Sequence, residues 1–422
     1  MENNLGVRSA AEEWSASKWN MANAVGQFLP RIDFKTTITR LDPYTREQAN
    51  IPAQFFPGYI ITPEDAYESS FTLTVPVFNS GMIYSNFKAA KAQKKLGESG
   101  YMKSRLDIST SAVKSYLGYL RALEFLEVRK QALESSRKNL AKAETQFEIG
   151  QRSRTDLLRW EVDAAEKEQQ LIDAENGVRL AKLDLSNVLD IDEENIAELR
   201  RLSEGKFKTD FVSFGSMSKA ELDELIDRWY AISVEEHPDF KSLNARKEMA
   251  SAEVWRARAQ MLPKINFLYS KYWQKDDDFY LDEREFWTAI VQIEMPVFTS
   301  LRNFSDWKRA RAMKKSEEYA VEETKKALRL RMASAVLNMR ASLLKVVSAD
   351  FARVQAEENL ESVQSKYELG LLSIVELLDA ETVYYGSRAA YIDALYSYYI
   401  LSSEVESLVG RKGLTSEFTY EE

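Results

Sequence analysis

Two short acidic stretches carry the side chains whose chemistry can be named most directly from the sequence. Glu376 and Asp379 are three residues apart, so a helix would place both carboxylates on one face. Carboxylates that line a narrow passage bind and favour cations. Asp156 and Glu376 also follow Ser153 and Ser373 by three residues, which is the spacing of a helix N-cap. From the residues alone, helix capping is the favoured interpretation of Asp156 and Glu376.

The sequence lacks the residues on which most enzymes and metal sites depend. It contains no cysteine and a single histidine, His237, which we expect to cap a helix or to lie at the surface. It shows neither a glycine-rich phosphate loop nor a nucleophile–base pair. We therefore predict no enzyme, no cofactor and no metal site. The net charge of −9, without a long Lys/Arg block, argues against nucleic-acid binding.

The nine prolines separate long helical tracts from two other segments. The tract from Val77 to His237 and the tract after Val297 have no proline, so both can form long helices. Apolar residues recur every seventh position over 126–147 and 157–185, which indicates helices packed along coiled-coil seams. The tracts therefore predict long, antiparallel coiled-coil helices.

The hydrophobic period changes to two inside the segments that contain the prolines. The alternating sets are Ile32, Phe34, Thr36 and Ile38; Tyr67, Ser69, Phe71, Leu73 and Val75; Ile265, Phe267 and Tyr269; and Trp287, Ala289, Val291, Ile293 and Met295. Strands of about ten residues can cross a bilayer when tilted. Four strands cannot close a barrel, but three copies of the chain would supply twelve. The alternative is a pair of soluble hairpins that cap helical bundles.

The chain also contains two copies of one plan. "QFLPRIDF" from Gln27 corresponds to "QMLPKINF" from Gln260, and "TVPVFNSG" from Thr74 corresponds to "EMPVFTSL" from Glu294. We predict a first repeat over 1–189, an intervening segment over 190–234, a second repeat over 235–409 and a tail over 410–422. The predicted elements are helix 2–28, hairpin 31–78, long helix 81–147 and helix 153–189, then helix 235–262, hairpin 264–298, long helix 301–367 and helix 373–409.

This arrangement resembles the TolC-type outer-membrane efflux proteins. The resemblance rests on the duplicated order of helix, "LP", hairpin, "PVF", long helix, glycine and helix, and on "YELGLLSIVELLDAETVY" from Tyr367 to Tyr384. It implies a mainly α fold with a small β part, in which each hairpin contributes to a trimeric, twelve-stranded transmembrane barrel. Segments 190–234 and 410–422 would form an equatorial belt around a helical tunnel in the periplasm.

The resemblance also implies a function. It indicates an outer-membrane exit duct of a tripartite efflux or type I secretion system, which exports substrates passively. Its partners would be a periplasmic adaptor, an inner-membrane pump and outer-membrane lipid. The alternative function is a soluble filamentous coiled-coil scaffold without a pore. Because the second repeat is preceded by a segment that the first lacks, we expect the natural chain to extend upstream of Met1, with a signal peptide and a lipidated cysteine.

Specific residues match the positions on which the resembling family depends. The periplasmic gate residues would be Thr155, Asp156 and Tyr367, and the acidic ring at the constriction would be Glu376 and Asp379. The turns that dock the adaptor would contain Gly150 and Gly370, and the helix-to-strand junctions would be Pro30, Pro76, Pro263 and Pro296. One gate position departs from the family: where the family has a basic residue, two positions after the glycine, this chain has Leu372. Arg152 or Arg154 is the candidate to replace that positive charge in the gate.

Overall fold

The computed structural model describes residues 4–45, 65–196, 214–275 and 284–410. The helices in these ranges are α1 (Leu5–Gly26), α2 (Met82–Glu148), α3 (Arg154–Leu189), α4 (Lys219–Glu236), α5 (Pro238–Ala259), α6 (Arg302–Glu368) and α7 (Ile374–Val409). The strands are β1 (Arg31–Arg40), β2 (Asp65–Phe78), β3 (Lys264–Lys275) and β4 (Arg284–Glu294). The prediction of a mainly helical chain with a small antiparallel sheet is confirmed. Parts of the predicted hairpins (46–64 and 276–283), of segment 190–234 (197–213) and of the tail (411–422) lie outside the described residues.

The helices occur in pairs of equal length. Helices α1 and α5 each have 22 residues, α2 and α6 each have 67, and α3 and α7 each have 36. Helices α1, α2 and α3 occur in the same order along the chain as α5, α6 and α7. In each set, two strands follow the shortest helix. Among the described residues, no helix combines the length and the apolar stretch needed to cross a lipid bilayer.

The chain divides into two compact units. One unit contains the sheet and comprises Trp14–Gly97 and Leu243–Ala320. The other comprises Met1–Glu13, Glu98–Ser242 and Val321–Glu422, and it contains α3, α4 and α7.

In the first unit, the four strands form one antiparallel sheet in the order β1-β2-β3-β4. Its register places the alternating apolar residues on one face, because directly paired residues share a face. Leu73, for example, pairs with Ile32 on one side and with Tyr269 on the other, and Phe267 pairs with Val291. The apolar side chains of this face that are strongly exposed include Ile32, Phe34, Ile38, Trp287, Val291 and Ile293.

The opposite face of the sheet is mainly polar, although Leu268 pairs with Ile290 and Tyr272 pairs with Phe286 on it. The hydroxyl groups of Thr72 and Ser270 lie 3.0 Å apart across β2 and β3 on this face. Gln274 donates a hydrogen bond of 3.0 Å to the Glu68 carboxylate on the same face.

The second unit is held together by three apolar clusters along its helices. One cluster joins α4 to α6 and α7 through the buried side chains of Trp229, Met339 and Tyr398. A second packs Leu120 and Val128 of α2 against α7, and the third lies beside the helix turns described below. Because each cluster follows a seam between neighbouring helices, the core is narrow and extended along the helices.

The structure corrects the predicted helix over 235–262. Helix α4 runs to Glu236 and α5 begins at Pro238, which is suited to a first helical position because it lacks an N–H. His237 separates the two helices, and its Nδ1 accepts a hydrogen bond of 3.2 Å from the Asp239 N–H. Asn4 caps α1 in a similar way, since its Oδ1 accepts from the Gly6 N–H at 2.9 Å. The sequence prediction that His237 is a surface or capping residue is confirmed as capping.

Candidate functional site at the helix turns

Each long helix ends in the same hydrogen-bonded turn. At the end of α2, Gly150 has φ 74°, and its N–H donates to the Phe147 carbonyl at 2.9 Å. The Gln151 N–H donates to the Gln146 carbonyl at 2.8 Å. These two bonds form a Schellman motif, in which a glycine with positive φ ends the helix and satisfies its last carbonyl groups.

The turn after α6 repeats this geometry. Gly370 also has φ 74°, its N–H donates to the Tyr367 carbonyl at 3.0 Å, and the Leu371 N–H donates to the Lys366 carbonyl at 2.9 Å. The two glycines selected from the sequence therefore occupy equivalent backbone positions.

Beyond the glycines, Ser153 and Ser373 are the N-caps of the next helices, and Asp156 and Glu376 bond to them. The Asp156 N–H donates to the Ser153 Oγ at 3.2 Å, and the same Ser153 hydroxyl donates to the Asp156 carboxylate at 2.9 Å. Glu376 accepts from the Ser373 N–H at 2.7 Å and from the Ser373 hydroxyl at 2.8 Å. These hydrogen bonds hold the pKa of Glu376 below its ordinary value, the bond from the Ser373 backbone having the largest effect. Glu376 therefore stays ionised at a lower pH than an unbonded glutamate would.

The two turns pack against one another. Trp160 of α3 and Leu377 of α7 are each 1% exposed, and they form a buried cluster with Ala143 and Ile374. Tyr367 packs against this cluster at the end of α6. Glu368, the last residue of α6, accepts a hydrogen bond of 3.2 Å from the ammonium group of Lys142 on α2.

Arg152 lies in the turn after α2 and contacts the end of α6. Its guanidinium group lies over the Tyr367 ring, with Cζ 4.7 Å from the ring centroid, and its Nε donates to Gln146 at 3.3 Å. A direct bond between the predicted gate residues Asp156 and Tyr367 does not occur in the described part of this chain. Tyr367 is instead linked to the turn that precedes Asp156, through one of the two arginines considered as replacements for the basic residue lost at Leu372.

The other predicted gate and ring residues lie near the starts of α3 and α7. Thr155 is exposed and, together with Leu158 and Leu378, lines a groove of about 510 Å³ between these helices. Asp379 is exposed and lies one turn after Glu376. The turns also carry exposed apolar side chains: Ile149 is 63%, Leu369 74% and Leu371 70% exposed.

Three of the four predicted junction prolines lie between elements. Pro30 and Pro263 immediately precede β1 and β3, and Pro296 lies between β4 and α6. Pro76 instead lies inside β2, where the register with β3 shifts between Pro76 and Phe78. This corrects the prediction for Pro76: it occupies a strand irregularity, which tolerates a residue without an N–H, rather than the junction itself.

A buried charged residue close to the turns was missed by the sequence analysis. Glu381 of α7 is only 4% exposed. It lies four residues after the buried Leu377, on the side of α7 that faces the bundle. A glutamate at a position expected to face the bundle was the signal that could have identified it.

Comparison with known proteins identifies the family. A family model described as "Outer membrane efflux protein" matches residues 1–189 and 229–411 of the chain. The chain belongs to this family. The resemblance predicted from the sequence is thereby confirmed, and the chain is an outer-membrane efflux protein rather than an enzyme.

Individual members of the outer membrane efflux protein family are distant in sequence. The alkaline protease secretion protein AprF of Pseudomonas aeruginosa is 21% identical over 336 residues, which are 79% of this chain and 67% of AprF. The crystal structure of the Campylobacter jejuni CmeC outer membrane channel is 17% identical, with a TM-score of 0.82 over 98% of this chain and 85% of CmeC. The structure of VceC from Vibrio cholerae is 16% identical, with a TM-score of 0.80 over 97% of this chain and 94% of VceC. These structures share the fold of the chain, and family membership favours the channel over the soluble scaffold.

Proposed function

We propose that the protein is the exit duct of a tripartite efflux or type I secretion system. It conducts substrates passively from the periplasm to the exterior when a periplasmic adaptor and an inner-membrane pump engage it. The observation that carries this proposal is the sheet: its register puts most of the exposed apolar side chains on one face and mainly polar side chains on the other. A sheet of this kind suits a barrel wall between lipid and an aqueous passage.

The proposed assembly is a homotrimer with a twelve-stranded barrel. Among the described residues, β1 and β4 each pair with a neighbour on one side only, so the sheet of a single chain has two open edges. Open edges are avoided in stable proteins, and a transmembrane sheet must satisfy every backbone group. Pairing β4 of one copy with β1 of the next removes both edges when three copies close a ring.

The proposed domain organisation is a duplicated unit with an equatorial belt. The equal lengths of α1 and α5, of α2 and α6, and of α3 and α7 support two repeats over 1–189 and 235–409. The belt would include α4, whose Trp229 is buried against the long and short helices of the second repeat.

The proposed gate lies at the helix turns. Asp156, Thr155 and Tyr367 would hold neighbouring helix pairs together in the closed tunnel. The carboxylates of Glu376 and Asp379 would form an acidic constriction, since three copies supply six carboxylates around one passage. Opening would move α6 and α7 at the Gly370 turn relative to α2 and α3 at the Gly150 turn.

The same turns are the proposed docking site for the adaptor. Exposed apolar side chains of Ile149, Leu369 and Leu371 flank the two glycines. Apolar side chains grouped on an otherwise polar surface are typical of contact sites between proteins. Their presence at both turns supports a site that recognises both copies of one motif.

Cysteine cross-linking tests the trimer directly, because residues 1–422 contain no cysteine. Thr36→Cys on β1 would be combined with Trp287→Cys, Ala289→Cys or Val291→Cys on β4. All four residues lie on the apolar face. We expect one combination to yield a covalent trimer on oxidation, visible in non-reducing electrophoresis.

The matched control is a cysteine pair inside the sheet. Thr72 and Ser270 are direct partners on β2 and β3, so Thr72→Cys with Ser270→Cys should give an intramolecular disulfide and no oligomer. The absence of a trimer from every β1–β4 combination would contradict the proposed barrel. A protein that remains soluble without detergent and sediments as a monomer would instead be a filamentous scaffold.

A further inference from the structure

A layer of polar side chains crosses the helices between two apolar clusters of the second unit. The layer consists of Ser135, Ser136 and Asn139 of α2, Asp163 and Lys167 of α3, and Glu381 of α7. On the side of the turns it borders the cluster that contains Trp160 and Leu377. On the other side it borders the cluster that contains Val128 and Tyr385. A polar layer at this level interrupts an otherwise apolar seam.

Glu381 is the link between α7 and α2 in this layer. Its Oε1 accepts a hydrogen bond of 3.0 Å from the Ser135 hydroxyl and another of 3.0 Å from the Asn139 side-chain amide. The donors are one helical turn apart on α2, so a single carboxylate oxygen spans that turn. Two donors to one buried oxygen fix both the rotation of α7 and its position along α2.

Helix α3 is tied to the same level by the adjacent serine. Ser136 is fully buried, and its hydroxyl donates to Asp163 of α3. The Lys167 ammonium group lies 3.6 Å from the same Asp163 carboxylate, and the side chains of both are about nine-tenths buried. Ser135 and Ser136 thus connect α2 to α7 and to α3, respectively.

Helices α2 and α7 make further polar contacts. Gln131 of α2 accepts hydrogen bonds from the Tyr385 hydroxyl at 3.3 Å and from Arg388 at 2.6 Å, and two ion pairs are more exposed. Arg121 lies 3.1 Å from Asp393, and their side chains are 38% and 59% exposed. Lys114 pairs with Glu404 at a similar exposure. Exposed ion pairs of this kind contribute little to stability, whereas breaking a buried polar contact leaves groups without solvation. Among the charged α7 residues in these contacts, Glu381 is the buried one, so loss of its hydrogen bonds would leave a buried carboxylate without solvation.

We propose that Glu381 is a positioning residue of the channel entrance, which pins α7 to α2 in the closed state and whose negative charge favours release of α7. This inference rests on the proposed function, because it requires an entrance that opens by movement of α6 and α7. The residue touches no substrate; it acts through the helix that carries Glu376 and Asp379.

The direction of the charge effect follows from the surroundings of Glu381. Burial raises the pKa of Glu381 above its ordinary value; the Ser135 hydrogen bond lowers it, Asp163 raises it, and Lys167 and the Asn139 hydrogen bond lower it. Tyr385 of the same helix also interacts with Glu381; burial raises the pKa of Tyr385, and Tyr384 and Arg388 act on it from further along α7. If α7 separates from α2, the carboxylate regains water and its pKa returns towards the ordinary value.

The pKa of Glu381 is therefore higher in the closed state than in the open state. By linkage, protonation of Glu381 stabilises the closed state relative to the open state. This stabilisation is complete below the ordinary carboxyl pKa and is lost as the pH rises through the pKa of Glu381 in the closed state. Acidification of the periplasm would accordingly hold α7 against α2. A rise in pH ionises Glu381 and makes release easier.

Single-channel recording in planar bilayers tests this inference with the full chain. Glu381→Gln keeps the shape and one acceptor oxygen but remains neutral at every pH. We expect its open probability to be severalfold lower than that of the wild type at the high-pH end of the profile, where the wild-type carboxylate is ionised, and to change less with pH. Glu381→Ala removes the hydrogen bonds, so we expect a severalfold higher open probability at neutral pH. A merely structural role would make both variants loosen the entrance.

Two further variants keep the test decisive. Ser135→Ala removes one hydrogen bond without changing the charge, and we expect a higher open probability at neutral pH with the pH dependence retained. Asp393→Asn removes an exposed carboxylate of the same seam and should keep the wild-type pH profile. If Glu381→Gln reproduces the wild-type open probability and pH profile, the inference is wrong while the channel proposal stands. If the wild-type protein itself forms no channels, the proposed function fails.

Discussion

The guanidinium group of Arg152 lies over the ring of Tyr367, with its Cζ atom 4.7 Å from the ring centroid. Arg152 belongs to the turn between α2 and α3, whereas Tyr367 lies in the last turn of α6. The contact therefore joins the two turns of one chain at the proposed entrance. Arg152 is held in place from its own side by its hydrogen bond to Gln146.

Replacing either partner of this contact should favour opening. A cation–π contact at a partly exposed site contributes about 0.5–1 kcal/mol, which corresponds to about a two- to fivefold change in the closed-to-open ratio. We expect Arg152→Gln and Tyr367→Leu each to raise the mean conductance in planar bilayers by a factor in this range. The double variant should add little to either single change, because both remove the same contact.

Arg154 provides the matched control for Arg152. It lies two residues further along the chain and is exposed at the start of α3. Arg154→Gln removes the same charge without touching Tyr367 and should leave the conductance unchanged. Equal effects of Arg152→Gln and Arg154→Gln would show that local charge, and not the ring contact, sets the conductance.

The turn glycines should be costly to replace, for a purely conformational reason. A Cβ at Gly150 or Gly370 would meet no described atom within 4 Å, but both residues have φ near 74°. We expect Gly150→Ala and Gly370→Ala each to lower the free energy of unfolding by about 1 kcal/mol. Gly177→Ala, in the middle of α3 and equally unobstructed, should raise it by about 0.5–1 kcal/mol. Thermal unfolding of the purified variants measures all three, and a destabilised Gly177→Ala protein would contradict the argument.

Adjacent residues of β4 should respond differently to a positive charge. Val291 lies on the apolar face and pairs with Phe267, whereas Gln292 lies on the polar face and pairs with Asn266. An arginine facing lipid costs about 2–4 kcal/mol near the bilayer midplane. We expect Val291→Arg to lower the stability in lipid vesicles, measured by urea unfolding, by an amount in this range. Gln292→Arg should have little effect, and equal losses would refute the assignment of the two faces.

The acidic pair should set the preference of the channel for cations. We expect Glu376→Gln with Asp379→Asn to shift the reversal potential in a salt gradient towards that of an unselective channel. Asp223→Asn, on the exposed surface of α4, should leave the reversal potential unchanged. If the two exchanges have the same effect, the constriction lies elsewhere.

The cap of Glu376 makes this selectivity depend on pH in a defined direction. Because the Ser373 hydrogen bonds lower the pKa of Glu376, the carboxylate keeps its charge below the pH at which an unbonded glutamate takes up a proton. Ser373→Ala removes the side-chain bond and should cause cation preference to disappear at a higher pH than in the wild type. If Ser373→Ala leaves the pH dependence of cation selectivity unchanged, the cap of Glu376 does not control the charge at the constriction.

The helices and the faces of the sheet were predictable from the sequence because each depends on local patterns. The proline-free tracts and their heptads predicted helices, and the alternation of Ile32, Phe34 and Ile38 with polar residues predicted a two-sided strand. The capping bonds of Asp156 and Glu376 were also predicted, since an N-cap requires only its own helix.

The remaining features depend on contacts between distant parts of the chain. The position of Pro76 inside β2 follows from a register shift against β3, which the sequence of one strand does not reveal. The buried position of Glu381 requires Ser135 and Asn139 to lie opposite it, more than 240 residues away along the chain. The contact of Arg152 with Tyr367 likewise depends on how two turns pack.

Electron cryomicroscopy of the purified particle in detergent tests the central claim most directly. The account predicts a threefold-symmetric hollow tube in which β4 of each copy pairs with β1 of the next to close a twelve-stranded barrel. A monomeric particle, or an assembly that leaves the β1 and β4 edges unpaired, would contradict it.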